Sequence, residues 1–351
     1  MITYEEHRLR SLADQGRWIE LLGAYRQARA AAVALDPAAG GAAGGAAGGA
    51  FRAPGRPAQG RAAAATAPLG HLIAYAAPPE VAARLFDPDG GPGTAADVTD
   101  HDAGPLWEVL ATRHSWRRLA PLLGPPPVRR LVAQTRVLLG EDLSRDAEPD
   151  REGVPLRLEP WEAAGRTEGA PVREYLRDGG ARSALLTLPA SREGLAPVEL
   201  PGPGARLPGQ PATRALAELA AWARAVCVRG PAAEAAAQLA PGRLVTGGYL
   251  PFVLAWPALV QAGVTGRAHG AAHGRLALWR ALAAMTGVRR PGPAGREDRV
   301  DRVDRAEVGA LVARMRCFTW EDPGDRLRHL HLALEDPASG LSWALSGSEE
   351  V

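Results

Sequence analysis

The 351-residue chain contains no lysine and no asparagine, and its only isoleucines are Ile2, Ile19 and Ile73. The codons of these residues are AT-rich, so a GC-rich genome accounts for their scarcity. The chemical consequences hold regardless. Without lysine there is no P-loop GK[ST], no Schiff-base lysine, no Ser-Lys dyad and no kinase-type phosphate lysine. Without asparagine there is no N-x-[ST] glycosylation site.

Aromatic residues make up only 5% of the chain. The apolar fraction therefore leans on Ala, Leu and Val, the composition of closely packed helices. Cysteine is scarce too. Cys227 and Cys317 lie far apart, follow no CxxC spacing and read as two buried thiols of a cytoplasmic protein. Net charge is +2, and most arginine runs sit beside Asp or Glu, so no nucleic-acid partner is expected. The first ten residues carry Glu5, Glu6, Arg8 and Arg10 and no apolar stretch, unlike a secretory signal. The charge-free run between Arg243 and Arg267 is long enough to span a bilayer. It contains Pro251, Pro257, Gln261 and the pair Gly247-Gly248, so it reads as buried core, and no membrane partner is expected.

What is present divides the chain into five regions. Residues 1–35 show helical spacing of Leu9, Leu12, Trp18, Leu21, Leu22 and Tyr25, broken at Gly16. Residues 36–65 contain an Ala-Gly-Gly repeat and read as a flexible insertion. Residues 66–140 predict short helices in hairpins, broken at Pro78-Pro79 and at Pro125 to Pro127, with Ser115 as an N-cap. Residues 141–210 are rich in Pro and Gly and read as a connection holding one short helix, 172–177, and one apolar run, 184–188. Residues 211–351 predict helices over 213–229, 231–239 and 268–285, then three strands near 314–320, 326–334 and 341–345 joined by turns. The expected fold is mainly α, as helical hairpins or a bundle, with a small C-terminal antiparallel β-meander, an α+β arrangement.

Four groups of residues are candidates for chemistry. His269 and His273 share a helix face, and His329 and His331 share a strand face, so four imidazoles are available for zinc. The helix pair lacks the Glu of HExxH, and packing is the plainer reading, with no cofactor and zinc as the alternative. The run Gly263 to Gly270 leads into a helix whose amides, with Arg267, suit an anion. A turn that lets two helices approach closely explains the same glycines. Arg113, Arg117 and Arg118, with Arg129 and Arg130 beside them and Trp107 and Trp116 nearby, form the most basic local cluster, suited to an acidic partner or phosphate. Its plainer reading is a surface whose arginine stems cover apolar area. No G-x-S-x-G elbow occurs, and Cys227 reads as an inert thiol among apolar neighbours.

Residues 274–284, Gly-Arg-Leu-Ala-Leu-Trp-Arg-Ala-Leu-Ala-Ala, resemble a "GRLAAWRSLAAL" helix of an uncharacterised actinobacterial family, the domain-of-unknown-function family numbered 6183. Cys317-Phe318-Thr319-Trp320 and Leu341-Ser342-Trp343-Ala344-Leu345 resemble that family's tail. The likeness covers the last third of the chain. His269 and His273 depart from the Gly and Tyr associated with the family there. The resemblance implies no activity. The expected function is a non-catalytic protein-interaction module that meets another protein. The alternative is a small-molecule enzyme or metal-binding protein using the histidines near 269–273 and 329–331.

Overall fold

The computed structural model describes residues 4–34, 58–87, 104–264, 269–287 and 303–349. Among them the chain forms thirteen α-helices and nine strands. These group into two compact units, one of Met1–Arg136 with Glu174–Arg182, the other of Val137–Arg173 with Ser183–Val351.

The first unit is helical: α1 (Tyr4–Asp14), α2 (Trp18–Ala34), α3 (Ala58–Ala76), α4 (Pro79–Ala82), α5 (Leu106–Arg113) and α6 (Trp116–Leu119), with α7 (Pro126–Leu138) running to its boundary. Local chemistry sets these ends. Gly16 adopts φ +70°, which breaks α1 from α2, and Pro79 opens α4 where no N–H bond is lost. The Ala-Gly-Gly repeat lies outside the described residues, while α3 begins at Ala58, inside the stretch expected to be an insertion. Leu21, Leu22 and Tyr25 of α2 are buried, as are Ile73, Phe86, Leu106 and Leu110. Gly70 lets α3 come close: a Cβ there would stand 2.6 Å from Leu106 and 3.0 Å from Tyr25.

A two-stranded ribbon, β1 (Glu174–Tyr175) and β2 (Ala181–Arg182), completes this unit. It occupies the position where a short helix over 172–177 was expected. Tyr175 donates its hydroxyl to the fully buried Glu108 at 2.5 Å, and His71 Nε2 lies 2.6 Å from the Leu176 carbonyl. These two contacts join residues 67 and 105 apart in sequence, so the ribbon is held by tertiary contacts to buried polar groups.

The second unit overturns the expected fold class. Its sheet has seven strands, all antiparallel, in the order β3-β6-β7-β8-β9-β5-β4. The strands are β3 (Ala196–Glu199), β4 (Ala205–Arg206), β5 (Arg224–Arg229), β6 (Leu244–Leu250), β7 (Arg316–Trp320), β8 (Arg328–Asp336) and β9 (Leu341–Glu349). The expected meander is its centre, β7-β8-β9, but the chain is α+β rather than mainly α. The helix expected over 213–229 is α9 (Pro211–Leu219) followed by β5, whose Val226 and Val228 favour the pleated state. The charge-free run holds β6 and then α11 (Phe252–Ala262). Among the described residues no helix is long and apolar enough to cross a membrane. The connection over 141–210 supplies both sheet edges, and it blunts them: β3 carries Pro197 and β4 is two residues long.

Cross-strand partners share a face. One face presents Val228, Val245, Phe318, Trp320, Ala333 and Ala344 to α10 (Ala232–Ala236), whose alanines allow close contact. The opposite face carries Cys227, Cys317, Leu332, Leu334 and Trp343 and is approached by α9 and α11. Behind them lie α8 (Pro160–Glu168) and α12 (Ala271–Met285), and α13 (Arg305–Arg314) is capped by Asp304, which accepts from the amides of Ala306 and Glu307. Glu162 on α8 and Arg275 on α12 form a fully buried ion pair at 2.7 Å. Where α12 crosses α11, Gly263 and Gly274 bring the backbones together: a Cβ on Gly263 would stand 2.5 Å from Gly274 Cα.

Candidate functional site

The basic cluster lies in the first unit, where α5 hands over to α6. Two of its expected members turn inward. Trp107 and Trp116 are buried, so neither ring is presented to a partner. In a helix of four residues, Trp116 and Leu119 make the inner face and leave Arg117 and Arg118 outside. Trp116 becomes a platform, with the Arg129 guanidinium 5.3 Å from its ring centre, while Arg129 Nη1 donates to the Ala120 carbonyl at 2.5 Å. Arg113, at the end of α5, is exposed and lies 4.3 Å over the Tyr75 ring. Among the described residues no carboxylate pairs with Arg113, Arg117 or Arg118. Their charge is felt locally: burial first, then Arg118 and Arg113, hold His114 below the ordinary imidazole value against a hydrogen bond at Ala77 and the charge of Glu80. Three unneutralised guanidinium groups therefore meet within six residues, on a support fixed by stacking.

The four histidines do not converge. His269 and His273 stand edge to face, ring centres 5.0 Å apart, at the start of α12. His329 and His331 stack at 6.0 Å on β8. Among the described residues, no three His, Cys, Asp or Glu side chains are grouped to hold a metal ion. Arg267 lies outside the described residues, and Gly263 before it serves the close approach of α11 and α12.

No family model matches the chain, and neither does any curated protein or solved structure. The resemblance in the last third rests on the quoted residues alone, and function has to be argued from the sites themselves.

The second unit holds a constellation that the sequence did not reveal. His331 Nε2 lies 2.5 Å from Asp325 Oδ1, and its Nδ1 lies 2.8 Å from the Ser346 hydroxyl. The imidazole is almost sealed, with 3% of its side chain exposed. Ser346 is the cross-strand partner of His331, and Asp325 comes from the turn before β8. His329 Nδ1 and Nε2 lie 3.0 and 3.1 Å from the carbonyls of Arg326 and Pro189. A groove of about 730 Å³ opens beside this turn, lined in part by Arg192, Leu244, Glu321, Asp322, Asp325 and His329. Across it Arg192 pairs with Glu321 at 2.7 Å. Spacing marks His329 and His331 as sharing a face, but nothing in the sequence ties Asp325 and Ser346 to them. Only the strand register does.

The cysteines carry no nucleophile. Burial pushes the Cys227 thiol up to about 11 and Cys317 up to about 12, so neither is a thiolate at neutral pH. Iodoacetamide at pH 7.5 is expected to leave the folded protein unlabelled over an hour and to label both thiols once guanidinium unfolds it. Labelling of the native chain at either position, read by intact mass, contradicts the burial described.

Proposed function

We propose that the first unit is a protein-interaction module that docks the acidic surface of a partner protein through Arg113, Arg117 and Arg118. One observation carries this reading: three exposed guanidinium groups without carboxylate partners among the described residues, on a support fixed by Tyr75 and by the Arg129–Trp116 stack. Such groups suit bidentate pairing with Asp and Glu. Arg113 is held over Tyr75 before the partner arrives, which lowers its ordering cost on binding. A phosphorylated segment offers the same chemistry. A folded acidic protein fits better because the guanidiniums are exposed at the end of one helix and on the next. Two buried, unpaired thiols fit a cytoplasmic setting, where this docking would take place.

The test is charge reversal. With Arg117→Glu and Arg118→Glu combined, affinity for the protein that co-purifies from the host is expected to fall by about 10- to 100-fold, mostly through lost steering and pairing. Raising salt from 0.05 to 0.3 M should weaken the wild-type complex in the same direction. A complex indifferent to both changes contradicts the reading.

A further inference from the structure

We propose that the second unit carries a separate chemical site, in which Ser346 is a nucleophile activated by His331 and Asp325, acting on a small ester or thioester that bears an anionic group held by Arg224. This does not depend on how the first unit binds.

The protonation pattern follows from the partners. A carboxylate only accepts hydrogen bonds, so the contact at 2.5 Å from Asp325 requires the proton on His331 Nε2. In the neutral ring Nδ1 then bears the lone pair. The Ser346 hydroxyl, 2.8 Å away, donates to it. This is the state needed for proton removal from the hydroxyl: lone pair on the serine side, N–H on the carboxylate side. Which ring nitrogen plays which part matters less than this polarity. Asp325 is held in turn by the Asp322 amide at 3.2 Å, and the Trp320 ring lies 5.6 Å from His331, so the imidazole has little freedom. The ring is almost buried, with Nδ1 turned to Ser346, which is half-buried.

Arg224 completes the arrangement. It is the cross-strand partner of Ser346 on β5, so both side chains stand on the same face. It is exposed and, among the described residues, has no carboxylate partner. Asp325, His331, Ser346 and Arg224 thus form a line from the turn across β8, β9 and β5. A substrate carboxylate or phosphate on Arg224 brings an adjacent carbonyl over Ser346.

The reaction runs in two balanced halves. Ser346 Oγ forms a bond to the carbonyl carbon as its proton passes to His331 Nδ1. The bond to the alcohol or thiol then breaks, and that oxygen or sulfur leaves with the proton. Water next gives its proton to Nδ1 and forms the new carbon–oxygen bond. The acyl–Ser346 bond breaks, Ser346 recovers the proton, and a carboxylic acid is released.

The full-length protein, treated with a fluorophosphonate probe and followed by intact mass, is expected to gain one adduct, on the peptide containing Ser346. Ser346→Ala, an exchange small enough to keep the strand, should abolish it. His331→Gln should slow it by about 10²- to 10⁴-fold, the usual contribution of a general base. Hydrolysis of mono-p-nitrophenyl succinate should exceed that of p-nitrophenyl acetate at least ten-fold, and Arg224→Gln should erase that preference by lowering the succinate rate. Folded wild-type protein that gains no adduct, or an adduct that survives Ser346→Ala, overturns the proposal and leaves the three residues as a polar stitch between strands. Equal rates on the two esters overturn the part given to Arg224.

Discussion

Replacing Arg275 with methionine is expected to lower the unfolding free energy by about 3–5 kcal/mol, the range for removing one partner of a buried ion pair. Both side chains of the Arg275–Glu162 pair are fully buried. Arg275 Nε and Nη2 bond Glu162 Oε1 and Oε2 at 2.8 and 2.7 Å. The guanidinium also donates to the carbonyls of Pro155 at 2.9 Å and Arg157 at 3.0 Å. Trp279 Nε1 adds a bond to Glu162 Oε1 at 2.9 Å, and the Glu159 amide donates to Oε2 at 3.0 Å. Without Arg275 the carboxylate stays buried with only two neutral donors, and two carbonyls lose their partners. The pair's net worth against an apolar core is a different quantity. Glu162→Leu combined with Arg275→Met should therefore recover a large part of the loss. Urea unfolding of the three variants measures this, and a loss below about 1 kcal/mol for Arg275→Met contradicts the network described.

Gly274→Ala is expected to be the second severe change, although alanine is ordinarily the better helix former by about 1 kcal/mol. A Cβ at this position would stand 1.9 Å from the Val260 carbonyl oxygen, and that oxygen belongs to the α11 backbone. No rotamer relieves the clash, so α11 and α12 must separate. Overpacking of this kind costs about 3 kcal/mol or more, well beyond the propensity gain. The control is Gly309→Ala on α13, where the added methyl meets nothing within 4 Å. There propensity acts alone and stability should rise by about 0.5–1 kcal/mol. The two substitutions are chemically identical and should differ in sign. Equal effects in thermal melts would show that the helices are not in contact as described.

The contrast between these two glycines explains how far the sequence could be read. Features fixed by a residue and its near neighbours were legible: the break at Gly16, the proline start of α4, the long α12, and the meander with its two turns. Features fixed by distant partners were not. In Thr213 to Arg229 the alanines run on without Gly or Pro, so one helix was expected. The change to β5 is imposed by its ladder with β9, more than a hundred residues later. The edge strands β3 and β4 are too short to show a period, and their segment is dominated by Pro and Gly. Trp116 looked available because Arg117 and Arg118 flank it, yet the short α6 buries it as the support for Arg129. The His331 relay shows the same limit: its imidazole was singled out, but Asp325 and Ser346 reach it only through a turn and the β8–β9 register.

The docking role of the first unit is tested most directly by hydrogen exchange on the full-length protein, alone and with the protein that co-purifies with it, followed by peptide mass spectrometry. The account predicts slowed exchange over residues 106–123, which carry α5, α6 and the three arginines, and loss of that protection when Arg117 and Arg118 are both changed to glutamate. Protection confined to the strands of the second unit, with residues 106–123 exchanging at the same rate in both samples, would contradict it.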